Sequence, residues 1–144
     1  MTGQQKEFKM IEVEYNIKFT PEIFKKLGAL VFEELPKIKP IDNVYKLVKE
    51  NEETCHFLTG SPIDILKLYF KEWKINITED RLHCNVYNGS GEKEKILKML
   101  QDKFDVIYLD DDAGLIKNSK DIVTKAILVK QLYNKNYWDK FETI

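Results

Sequence analysis

Apolar positions along the chain change their period repeatedly, and each change marks an expected element. Residues 8–19 place Ile11, Val13, Tyr15, Ile17 and Phe19 at every second position, which is the period of a strand. Thr20 and Pro21 then read as an N-cap and first helical residue. Ile23, Leu27, Leu30, Val31 and Leu35 follow at helical spacing until Pro36 and Pro40 interrupt. A second helix is expected over 42–50, with Val44, Leu47 and Val48 turned inward. The run Cys55-His56-Phe57-Leu58 is a candidate buried strand. Thr59-Gly60-Ser61-Pro62 is a strand-to-helix turn in which Ser61 can cap, and Ile63, Leu66, Phe70 and Trp73 line the helix that follows. Residues 82–87 form a third strand, Asn88-Gly89-Ser90-Gly91 ends it, and the helix over 92–104 turns Ile96, Leu97 and Leu100 inward. Val106 to Leu109 is a fourth strand that runs into three aspartates. The apolar run Ala126 to Val129 is read as a fifth strand, with a helix starting at Ser119 as the alternative. Strands alternating with helices predict right-handed crossovers and a three-layer α/β domain over 1–144, its sheet mainly parallel and covered on both faces.

Composition narrows this picture without changing it. A chain of 144 residues buries enough surface for one core and not for two. Hydrophobic residues at 43% and charged residues at 33% are the balance of a globular protein, and no apolar run is long enough for a membrane span. The net charge of −1 gives no general attraction to nucleic acid. Two cysteines in expected buried strands, with a polar start and no apolar leader, point to a reducing, cytoplasmic compartment.

In an open parallel sheet, ligands bind beyond the carboxyl ends of the strands. The residues expected there are Glu12, Glu14 and Asn16, then Thr59, Gly60 and Ser61, then Lys93, then Asp110, Asp111 and Asp112. Hydroxyls, an ammonium and clustered carboxylates are the groups a magnesium-assisted phosphoryl-transfer site needs. Each also has an ordinary reading: glutamates on a solvated strand face, a threonine as helix cap, a lysine on a helix surface. Successive aspartates repel one another unless a cation relieves them, so Asp110 and Asp111 are the metal candidates. Cys55, His56, His83 and Cys84 make a nominal zinc set. Neighbouring residues on a strand face opposite ways, however, so the four are not expected to converge. Trp73, Tyr133 and Trp138 read as core or docking aromatics rather than base-stacking ones.

The order of these groups resembles the haloacid dehalogenase-like phosphatases, a Rossmann-like superfamily, over nearly the whole chain. Thr59 in HFLTGSP matches the second motif, Lys93 in GEKEKIL the third with Lys95 as substitute, and Asp110-Asp111 in VIYLDDD the fourth. The tail AILVKQLYNKNYW is similar to the closing strand and Tyr-Asn turn of 5'(3')-deoxyribonucleotidase-like members. The resemblance implies a magnesium ion held by Glu12, Glu14, Asp110 and Asp111. Phosphate contacts would come from Asn16, Thr59, Gly60, Ser61 and Lys93, and the substrate would be a phosphorylated small molecule such as a nucleoside monophosphate. There is no room for a large cap domain. The first motif departs from the family, since Glu12-Val13-Glu14-Tyr15-Asn16-Ile17 stands where Asp-Val-Asp-Gly-Thr-Ile is expected. Glu12 as nucleophile and Glu14 as acid and base would each carry the carboxylate one methylene too far, and a misplacement of roughly 1 Å costs on the order of a hundredfold in rate. The expectation is therefore a weakened or lost phosphohydrolase, or a binding module for a protein or nucleotide that keeps the fold without the chemistry.

Overall fold

The computed structural model describes residues 3–144, with side chains described for 9–30 and 33–144. Its opening element corrects the sequence reading: α1 (Gly3–Glu14) is a helix, where a strand was expected. Alternating apolar residues build a strand only when a neighbouring strand takes up the backbone bonds, whereas a helix closes those bonds within itself. Val13 and Tyr15 accordingly remain exposed, at 84% and 66%. The chain leaves α1 through Asn16, whose φ of 50° is left-handed, and Glu12 Oε1 accepts the Phe19 amide at 2.8 Å.

Most later elements form where the pattern places them. They are α2 (Pro21–Glu34), α3 (Asp42–Glu50), β1 (Phe57–Leu58), α4 (Ile63–Trp73), β2 (Leu82–His83), α5 (Glu92–Gln101) and β3 (Ile107–Asp110). Thr20 caps α2 as expected, its hydroxyl accepting the Ile23 amide. The short helix α6 (Ala113–Ser119) follows β3. Asp112 starts it by accepting the amides of Gly114 and Leu115 at 2.8 and 3.1 Å. β4 (Lys125–Leu128) is a strand, which decides the ambiguity in that run.

The fold is mixed α/β and about half helical; among the described residues its strand pairing is parallel, but the strands form two separate pairs where one sheet was expected. β1 pairs with β2, and β3 pairs with β4. Each pair has its own cluster of buried residues, so the apolar interior falls into two groups where a single core was expected. Val48, Leu66, Phe70 and Ile77 pack beneath the first; Leu97, Tyr108, Leu115, Ile116, Val123 and Leu128 pack beneath the second, where Leu58 of β1 also lies against them. The outer edge of β4 is covered by the C-terminal segment, since Leu128 donates to Glu142 O at 2.8 Å and Ile144 donates back to Leu128 O at 3.1 Å.

Candidate functional site

β1 and β3 each end in a polar step. Thr59 and Gly60 continue from β1, Asp110 closes β3 with Asp111 after it, and Lys93 sits in the first turn of α5. These five residues line one cavity of about 450 Å³. The turn into α5 is made at Gly91, with φ of 80°, a conformation in which a side chain is strained. Gly60 is closely packed: a Cβ there would meet the Tyr87 ring at 3.2 Å, so the ring would have to give by a few tenths of an ångström.

Lys93 is almost fully buried, at 5% exposure. Its ammonium lies 3.2 Å from Asp110 Oδ2, and the same oxygen accepts the Tyr108 hydroxyl at 2.5 Å. The other oxygen of Asp110 accepts the Asp112 amide at 2.8 Å. This carboxylate is therefore held by three donors. Burial pushes the Tyr108 hydroxyl far above its usual range, and the charge of Asp110 pushes it in the same direction, so Tyr108 remains a proton donor. Lys95 is exposed, which leaves Lys93 as the lysine at the cavity.

Asp111 is engaged as well. Its carboxylate accepts the Tyr133 hydroxyl, and its carbonyl accepts Asn134 Nδ2 at 2.9 Å. Burial raises the Tyr133 hydroxyl, with the Asp111 bond adding to it. Asn134 is buried and satisfies all its groups, donating also to Val129 O and accepting from Gln131 N and Trp138 Nε1. A second cavity of about 370 Å³ lies beside these residues, lined by Asn88, Asp111, Asp112, Tyr133, Asn134 and Tyr137 among others.

The remaining expected site residues stand elsewhere. Glu12 and Glu14 belong to α1 and Asn16 to the turn after it, and none of them lines either cavity. Ser61 also lies off the walls. Its amide donates to Thr59 Oγ1 at 3.1 Å and its carbonyl accepts the Asn85 amide, so it shapes the turn. Among the described residues no three His, Cys, Asp or Glu side chains come together in a way that could hold a metal. Asp110 and Asp111 line the cavity together, while Glu12 and Glu14 lie away from it, so the four carboxylates expected to hold magnesium do not assemble there.

Tyr108 and Asp110 are two residues apart on a strand and hence share a face, a signal available in the sequence. Asn88, Tyr133 and Asn134 carried none beyond the Tyr-Asn turn, because they reach Asp111 and Asp112 only through tertiary folding. His56 and His83 meet across β1 and β2, with Nδ1 and Nε2 3.1 Å apart and the rings stacked at 5.4 Å. Cys55 and Cys84 lie instead against the core containing Val48 and Phe70. Comparison of the chain with family models, with curated proteins and with solved structures gives no match.

Proposed function

We propose that the chain is the phosphate-holding part of a haloacid dehalogenase-like site, one that binds a phosphorylated small molecule such as a nucleoside monophosphate without turning it over. The observation that carries this reading is the meeting of Thr59, Gly60, Lys93, Asp110 and Asp111, from three separate segments, on one cavity. These positions correspond to the second, third and fourth motifs of the resemblance, while the altered first motif lies on the end of α1 and the turn after it, outside the cavity. Attack on phosphorus needs a free nucleophile held at about 3–3.5 Å from it. Asp110 is committed to Lys93, Tyr108 and the Asp112 amide, so this geometry favours binding over hydrolysis.

One ammonium faces two carboxylates on the cavity wall, so the electrostatics make phosphate affinity weak unless a cation in solution offsets them. The test is a calorimetric titration with deoxynucleoside monophosphates, with and without magnesium, measuring phosphate release in the same samples. Weak binding that rises with magnesium, falls at least tenfold in Thr59→Ala and releases no phosphate is the expected result. Release that disappears in Glu12→Gln would return the chain to the hydrolases. Absence of binding in both conditions would remove the phosphate reading.

A further inference from the structure

The cavity beside Tyr133 takes no part in holding phosphate, and its walls have a chemistry of their own. Asn88 and Asp111 line both cavities, so the two lie on either side of a partition one side chain thick. A ligand anchored by its phosphate at Thr59 and Lys93 has this second cavity as its neighbour. Its volume of about 370 Å³ falls among those of small-molecule sites, which run from roughly 300 to 1,000 Å³. Among the described residues, no lysine or arginine stands on its wall, so a phosphate is better placed in the first cavity and an uncharged or donor-rich group in the second.

Tyr133 gives the second cavity a flat apolar face. The residue is 70% exposed, yet its hydroxyl donates to the Asp111 carboxylate. A ring held at its hydroxyl end keeps one orientation while both faces stay open, so a planar ligand stacks on it with little further ordering. Tyr137 lines the same cavity, but the Lys140 ammonium lies 5.4 Å from its ring centre, which leaves Tyr133 as the platform.

The polar groups around that platform mostly accept. Asn134 spends both amide hydrogens, on Asp111 O and Val129 O, and Asn88 Nδ2 donates to Asp112 Oδ2 at 3.1 Å. Asp111 Oδ2 takes the Tyr133 hydroxyl, and among the described residues its other carboxylate oxygen has no partner. Each carboxylate oxygen can accept about two bonds, so Asp111 and Asp112 retain acceptor capacity. A ligand that fits here brings donors. Among the nucleobases guanine does so best, since its Watson–Crick edge sets an amino group beside a ring N–H, the spacing of the two oxygens of a carboxylate. Thymine offers one N–H between two carbonyls, and those carbonyls would face the carboxylates at a cost in affinity.

We propose that this cavity is a base subsite selective for guanine, stacked on Tyr133 and bonded through its donor edge to the carboxylates of Asp111 and Asp112. The sugar crosses the partition at Asn88 and Asp111. The inference rests on the phosphate reading for its anchor and goes beyond it in naming the base.

Calorimetric titrations with dGMP, dTMP and deoxyribose 5-phosphate, all in magnesium buffer, test the two parts separately. The expected result is dGMP binding at least tenfold more tightly than deoxyribose 5-phosphate and about fivefold more tightly than dTMP. Tyr133→Ala brings dGMP down to the level of the sugar phosphate, whereas Tyr133→Phe, which keeps the ring, retains most of the advantage. Equal binding of the three ligands to the wild-type chain would overturn the base subsite and leave the phosphate reading standing. Equal binding of dGMP and dTMP, both above the sugar phosphate, would overturn the selection of guanine, and an unchanged dGMP advantage in Tyr133→Ala would overturn the platform. Binding of none of the three would remove the phosphate anchor and the proposal with it.

Discussion

At the scale of single residues, Lys93 decides what the cavity is. A buried ammonium is tolerated only with a partner, and Asp110 supplies it at 3.2 Å while itself accepting Tyr108 and the Asp112 amide. Replacing Lys93 by methionine leaves the carboxylate without its countercharge. Loss of one partner of a buried pair costs about 3–5 kcal/mol, with the lower end expected here because two other donors remain on Asp110. Urea denaturation of Lys93→Met, Asp110→Asn and the double variant measures this, and the double variant should recover part of the loss. If Lys93→Met unfolds at the wild-type midpoint, the pair has no structural weight. The involvement of Lys93 was legible in the sequence as a lysine opening a helix after a strand. Its choice over Lys95 was not, because two residues so close in a helix differ only in which side the packing turns inward.

At the scale of elements, β1 and β2 are held by side chains that set a pH limit. Burial holds the imidazoles of both His56 and His83 below their ordinary value of 6.5, and for His56 the neighbouring His83 acts in the same direction. The unfolded chain therefore binds more protons than the folded one as pH falls through 6.5. Stability from this pair is present above that pH and is lost as pH drops toward the depressed folded values. A urea midpoint that falls between pH 7.5 and 5.5, and falls less in the His56→Gln, His83→Gln double variant, is the expected outcome. An equal pH slope in the two proteins would remove the pair from the account. The sequence showed two histidines on expected strands, but their meeting follows from the register that pairs Leu58 with His83, which no local pattern specifies.

At the scale of the whole molecule, the outer edge of β4 is closed by the far C-terminal segment. Three backbone bonds, from Leu128 to Glu142, Ile144 to Leu128 and Lys130 to Ile144, bind the C-terminal segment to β4. Removing residues 142–144 breaks all three, and because the freed groups regain water the loss is about 1.5–4.5 kcal/mol. The denaturation midpoint of the truncated chain checks this, and an unchanged midpoint would show that the edge needs no cover.

The sequence by itself determined most element types from α2 onward, because helical spacing, the Thr20 and Pro21 start and the turns around Gly60 and Gly91 are local properties. It also pointed to Thr59, Lys93, Asp110 and Asp111 as a group, since polar residues just beyond buried strands share one end of a parallel arrangement. Only the tertiary structure decided that residues 8–19 enter as a helix, that the strands form two pairs, and that Glu12 and Glu14 stand away from the cavity. Strand alternation states which face would be buried if a neighbour were present. The neighbour itself is a long-range contact, and its presence or absence is set by the packing of the whole chain.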